Sequence, residues 1–160
     1  MKAPEKLKKR TLKSKETRLL VREVNSRLGI SLNSEKIEET TIGEEAKLFW
    51  AEEAPILIRT DDALIPTLTY QEALGHLPNV LVDMGAIPHV CSGADIMAPG
   101  IVSVQEFESN QLVVIRDERH GKALAIGLSL LSSKEIQEKK RGKAVKNLHY
   151  VGDKIWNTYK

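Results

Sequence analysis

The sequence predicts an α+β fold in two parts: a small N-terminal α/β domain, then a C-terminal mixed β-barrel with short helices. Three observations lead to it. A single amphipathic helical stretch near the start gives way to short apolar runs separated by turn residues. After Pro78 a second series of short strands follows at close spacing. Capping boxes, Thr69 with Glu72 and Ser132 with Glu135, mark short helices among those strands. The length of 160 residues accommodates two small domains, and 41% hydrophobic with 29% charged residues suits a chain that buries a core. Aromatic residues are few, so packing has to rest on aliphatic side chains.

In chain order, residues 1–13 are polar and basic with little apolar periodicity, which predicts a frayed arm. From Ser14, a candidate cap, Leu20, Val24 and Leu28 recur every four residues up to Gly29, and Lys15, Arg18 and Arg22 lie on the opposite face. An acidic stretch follows, from Glu35 to Glu53. Within and after it, Leu48-Phe49-Trp50 and Ile56-Leu57-Ile58 are spaced for a hairpin, and Asp61-Asp62 turns the chain toward Leu64-Ile65. Trp50, in an apolar strand, is expected in the core. Gly75 closes the helix that Thr69 begins. The domain boundary is placed between Gly75 and Pro78, dividing residues 1–76 from 77–160.

The second part opens with a buried strand, Val80 to Asp83, and a short helix from about Met84 to Cys91, with Pro88 near its first turn and Gly93 beyond its end. Ile101 to Val104 and Leu112 to Ile115 read as strands, and Asp117 to Gly121 as a turn. In the run Ala123 to Leu131, large residues alternate with Ala123, Ala125, Gly127 and Ser129, and that small face lets another backbone approach closely. The helix from Ser132 is closed by Gly142, with Lys139 to Arg141 at its negative end. A strand from Leu148 to Val151 finishes the unit.

Composition excludes several classes. No apolar run is long enough to span a bilayer, and the Lys-rich start lacks the apolar core of a secretory signal, so a cytoplasmic protein with no membrane association is expected. Cys91 is the single cysteine; it can form no internal disulfide and completes no zinc spacing. Neither a metal nor a cofactor is expected, since phosphate-loop, dinucleotide and zinc fingerprints are missing. A net charge of +2 is only mildly basic, but the cations are clustered: Lys2 to Arg27 at the start, Lys134 to Lys146 near the end.

The segment from Val82 to Ile101 carries the most information. Gly85, Gly93 and Gly100 punctuate it, so that a strand leads into a short helix and then into a loop with small side chains. Such a loop either merely closes a barrel or admits a sugar-phosphate backbone to its exposed donors, and the residues alone leave both readings open. No catalytic residue is expected. His89 and Cys91 are two apart and would point to different sides of a helix, and Cys91 reads as a small buried hydrophobe. His89 reads as packing on its own helix. Asp83 reads as a helix cap and Asp95 as a turn former. Tyr150 is open between a core position and base stacking.

This segment resembles the signature of PUA domains, named after pseudouridine synthases and archaeosine transglycosylases: Asp83 to Ala86, then Gly93-Ala94-Asp95, then Pro99-Gly100. The likeness extends to about residue 156. Ile65-Pro66-Thr67-Leu68 and the ending Asn147-Leu148-His149-Tyr150, with Asp153, Trp156 and Tyr159-Lys160, are similar to the malignant T-cell amplified sequence family, and the Glu-rich first half resembles its archaeal relatives. The resemblance implies a PUA-type barrel and a non-enzymatic RNA-binding protein of translation, acting on tRNA or rRNA of the small ribosomal subunit in initiation or recycling, with a translation-factor partner. It implies an RNA-binding surface at Gly93, Ala94, Asp95, Ile96, Met97 and Ala98, flanked by Lys143, Lys146 and His149. An RNA-recognition accessory to a tRNA or rRNA modification enzyme, and a protein-only adaptor, are the alternative readings.

Overall fold

The computed structural model describes residues 7–44, 46–61 and 63–160. The chain divides into two compact units, Met1–Tyr70 and Gln71–Lys160. The division precedes the short helix that the sequence reading placed in the first part.

The first unit is an antiparallel meander of five strands in the order β1 (Arg10–Thr11), β2 (Ile37–Ile42), β3 (Ala46–Ala51), β4 (Ala54–Arg59) and β5 (Leu64–Pro66), with helix α1 (Ser14–Leu28) between β1 and β2. In α1 the residues spaced by four, Leu20, Val24 and Leu28, are the buried ones. Its start lies one residue before the expected cap: Lys13 takes the cap position, and its amide donates to the Glu16 carboxylate at 3.0 Å. The β3–β4 connection is a hairpin, as the spacing predicts, and its loop is the two residues Glu52 and Glu53. Glu52 and Glu53 both have positive φ, 51° and 69°, the combination that matches strand twist and that side chains resist. Trp50 is buried, as its strand predicts, and its indole N–H donates to Thr40 Oγ1 at 3.0 Å.

Two expectations change here. Residues 10–13 are not frayed: Arg10 and Thr11 pair with Glu39 and Glu38, and Leu12 is buried beside them. Residues 1–6 of that arm lie outside the described residues. The acidic stretch is also more than a charged surface. It contains β2, in which Ile37, Thr40 and Ile42 are buried and Glu39, 8% exposed, is held by Arg10 at 2.8 Å. A single-sign charge run masked the strand's apolar positions.

The second unit opens with helix α2 (Gln71–Leu74), one turn that Gly75 follows, and continues through a nearly closed barrel. Its strands are β6 (Asn79–Val82), β7 (Ile96–Met97), β8 (Ile101–Val104), β9 (Leu112–Asp117), β10 (Ala123–Ser129) and β11 (Lys143–Tyr150), ordered β7-β11-β10-β9-β6-β8. β6 runs parallel to β9 and the other pairs are antiparallel, which makes the barrel mixed as expected. Val80, Val82, Val113, Ile115, Ala125, Ala144 and Val145 are fully buried in its core. Each valine or isoleucine so buried contributes about 1.5 to 3 kcal/mol of transfer free energy.

The small residues of β10 have the predicted use at Gly127, where an added Cβ would stand 2.3 Å from Val145 Cγ1 and 3.0 Å from the Lys146 carbonyl. Glycine there lets β11 close the sheet. Helix α4 (Ser133–Lys139) has the reciprocal capping box: Ser132 Oγ accepts from the Glu135 amide and Glu135 from the Ser132 amide, each at 3.2 Å. It ends at Lys140, itself left-handed at φ 52°, before Gly142 is reached. The closing strand begins at Lys143, well before the Leu148 expected. After it, helix α5 (Lys154–Tyr159) occupies a tail for which the sequence offered no element. Among the described residues no helix is long and apolar enough to cross a membrane.

Candidate nucleic-acid interface

The glycine-punctuated segment folds as a cap, a turn, a helix and a second cap. Asp83 follows β6 and its Oδ1 accepts from the Ala86 amide at 2.9 Å, nucleating a 3-10 turn at Met84–Ala86. Helix α3 (Ile87–Val90) follows directly, with Pro88 in its first turn, where the missing N–H costs nothing. At its end the Gly93 amide donates to the Val90 carbonyl at 3.1 Å and the Ala94 amide to the His89 carbonyl at 3.1 Å. This reciprocal pair, with Gly93 at φ 93°, is the Schellman closure of a helix. Gly93 is fixed twice over, because an added Cβ would lie 3.0 to 3.2 Å from the Tyr150 hydroxyl and ring.

Asn147 then fastens the loop to the barrel. Its side-chain amide donates to the carbonyls of Val90 (3.1 Å) and Ala94 (3.0 Å), while its backbone N–H donates to Asp95 Oδ1 (3.0 Å). The other carboxylate oxygen, Asp95 Oδ2, stands 3.5 Å from Lys143 Nζ. Between the cap and the loop opens a cleft of about 470 Å³, at the small end of ligand-sized sites. Val82, Ala86, Val90, Ile96 and Pro99 supply apolar wall, and Asp83, His89 and Asp95 supply polar edges. An apolar slot with a few polar groups at its mouth suits an unstacked base, held by its faces and read along its edge.

The residues singled out from sequence are placed as follows. Ala94, Asp95, Ile96 and Met97 line the cleft together, and Met97, 45% exposed, offers a thioether surface at its rim. Lys143 pairs in register with Met97, and both Lys143 and Lys146 are exposed on β11. Gly93 is beside the cleft, under Tyr150. The backbone donors expected from the loop are spent internally: Gly93 and Ala94 close the helix, and the Ala98 amide donates to the Gly142 carbonyl at 2.8 Å. The Ile96 and Ala98 side chains belong to the barrel core, 3% and 4% exposed. His149 corrects the sequence reading most sharply. It is 0% exposed, with Nδ1 2.7 Å from Asp153 Oδ2 and Nε2 2.8 Å from the Tyr159 hydroxyl, so it offers no face to a base. Tyr150 is half-buried and packs against the barrel core.

The cleft has further liners that the sequence reading does not single out as site residues. His89, read as packing on its helix, is exposed and lines the cleft, as do Asp83, Gly85, Pro99 and Gly100. All lie inside the glycine-punctuated segment from Val82 to Ile101, and their common signal is its repeated small and turn-forming residues. Cys91 packs partly against the barrel core; burial pushes its thiol up, opposed by the nearby Lys122 cation. A thiol so protonated is no nucleophile at neutral pH.

A six-stranded mixed barrel with this cap, helix and glycine loop defines the second unit as a PUA domain, a module of RNA-binding proteins. Residues 78–151 match the PUA domain family, and residues 8–71 match a family described as a domain of unknown function, DUF1947. The chain belongs to the malignant T-cell-amplified sequence family. It is 35% identical to malignant T-cell-amplified sequence 1 of Danio rerio, over 79% of this chain and 69% of the relative. To translation machinery-associated protein 20 of Eremothecium gossypii it is 35% identical, over 78% and 68%. An uncharacterized protein of the archaeon Methanocaldococcus jannaschii is 44% identical over 74% and 75%. The crystal structure of a hypothetical protein from Pyrococcus horikoshii superposes with a TM-score of 0.81 at 30% identity, covering 95% of this chain and 99% of that one.

Proposed function

We propose that this chain is an RNA-binding protein of translation that seats an unstacked nucleotide of tRNA or small-subunit rRNA in the PUA cleft. The observation that carries the reading is the cleft itself: an apolar slot edged by Asp83, His89 and Asp95, with Lys143 and Lys146 exposed on β11, the strand paired with cleft-lining β7. The slot accounts for base recognition and the lysines for sequence-independent attraction to phosphates. The translation setting follows from relatives named as translation machinery-associated. Recognition alone is the chemistry, with no bond made or broken. Association with a ribosomal or translation-factor partner belongs to the same reading.

Titrating labelled tRNA and small-subunit RNA at several salt concentrations tests it. The affinity is expected to fall as salt rises, with a logarithmic slope of roughly 0.7 to 0.9 per phosphate neutralised. Affinity that is missing, or indifferent to salt, contradicts the proposal.

A further inference from the structure

The first unit carries a second cationic surface, built on α1. Lys15, Arg18 and Arg22 are exposed and spaced by three and four, which gathers them on the face opposite the buried Leu20, Val24 and Leu28. The acids of α1 lie elsewhere and are already engaged. Glu16 is bound by Arg10 at 2.7 Å, and Glu23 by Arg59 at 2.6 Å and by Arg27 at 3.2 Å. Glu39 is likewise held by Arg10 and Lys47. Among the described residues, Lys15, Arg18 and Arg22 form no salt bridge. Glu16, Glu23 and Glu39 thus neutralise other cations of the unit, and among the described residues the Lys15, Arg18 and Arg22 face is left without an ion pair.

We infer that this face of α1 is an RNA-binding surface of its own, which takes the sugar-phosphate backbone of double-stranded RNA without reading its sequence. Three cations along about 10 Å of helix form a row suited to successive phosphates. Asn25 and Ser26, also exposed there, carry hydrogen-bonding groups suited to phosphate and ribose oxygens. Leu19, 54% exposed, is the large apolar residue of the face. One leucine is too little apolar area for insertion into a bilayer or for seating in a protein groove, both of which need a stripe. The inference stands on the charge pattern of α1 and does not rest on the cleft.

The test uses the full chain with Lys15→Gln, Arg18→Gln and Arg22→Gln together. Glutamine preserves helix propensity, and an unchanged thermal melt verifies the fold. Binding is measured to a blunt-ended RNA duplex of mixed sequence and to a single-stranded RNA, each across a salt series. The triple variant is expected to weaken duplex binding more than tenfold at low salt and to lower the salt slope by about 0.9 for each phosphate it no longer neutralises. A triple variant with wild-type duplex affinity and slope overturns the inference while leaving the cleft reading intact. So does duplex binding that disappears only on reversing Lys143 and Lys146, or wild-type binding to phosphatidylserine vesicles that exceeds binding to the duplex and vanishes in the triple variant. Single-stranded binding that fails while duplex binding persists removes the cleft reading instead.

Discussion

The carboxylate of Asp153 lies 2.7 Å from Nδ1 of the wholly buried His149, and through it the C-terminal helix is tied to the last strand of the barrel. Oδ1 of Asp153 also accepts from the Trp156 amide at 2.7 Å and Oδ2 from the Tyr150 amide at 3.1 Å, so one side chain caps α5 and holds the imidazole. With Asp153 ionised, Nδ1–H is the donor of that bond, and Nε2 pairs with the Tyr159 hydroxyl at 2.8 Å. Asp153→Ala is expected to cost about 2 to 4 kcal/mol in urea unfolding, from removal of the cap and the unpaired buried donor it leaves. A cost under about 0.5 kcal/mol would show that α5 is not fastened here.

The same group sets a pH dependence. Burial works to raise the pKa of Asp153, but its hydrogen bonds to His149 and to the Trp156 and Tyr150 amides outweigh this and hold it below the ordinary carboxylate value. A depressed pKa contributes stability that is fully present above the unfolded value, about 3.9, and is lost as pH falls through the folded one. Asp153→Asn retains a capping oxygen without the charge. Its stability is therefore expected to fall less than that of the wild type between about pH 4 and lower values, as thermal melts in an acid series would register.

Gly93 offers a test of the loop. At φ 93°, with the Tyr150 ring and hydroxyl 3.0 to 3.2 Å from any added Cβ, Gly93→Ala is strained by its backbone and by its neighbour. A destabilisation of about 1 to 3 kcal/mol is expected. In a Tyr150→Ala background the steric part disappears, so the cost should drop toward about 1 kcal/mol. Equal costs in both backgrounds would mean that Tyr150 does not press on the loop.

Reversing the charge of the flanking strand addresses affinity. Lys143→Glu with Lys146→Glu alters exposed side chains and should shift stability by less than about 0.5 kcal/mol each. RNA affinity at low salt is expected to fall at least tenfold, with the salt slope reduced by roughly 0.7 to 0.9 per phosphate. Filter binding that leaves both unchanged would favour an adaptor that works through protein partners.

Much of the barrel was legible because its signals are local. The caps at Asp83 and Ser132, the Pro88 turn and the closure at Gly93 each use a side chain or dihedral that few residues supply. The small residues of β10 foretold the close approach at Gly127 for the same reason. Strand β2 was hidden because its glutamates read as a solvated stretch, and the partner that makes Glu39 buriable, Arg10, lies far away in sequence. His149 failed for a tertiary reason. Gly127 pairs with Asn147 and Ile126 with His149, so Leu148 is bulged out and His149 turns to the side of Lys146, as binding to RNA would require. Helix α5 then covers it, and no periodicity in residues 151–160 announced a helix that folds back. The expected backbone donors of Gly93 and Ala94 were taken up similarly, since closing α3 consumed them.

The central claim, an unstacked base seated in the PUA cleft, is tested most directly by photocrosslinking the full chain to 4-thiouridine-substituted tRNA and small-subunit RNA, with the modified residues mapped by mass spectrometry. Crosslinks at His89, Met97 or their cleft neighbours between Asp83 and Gly100 are the predicted result. Efficient crosslinking confined to other parts of the chain, with none in that segment, would contradict it.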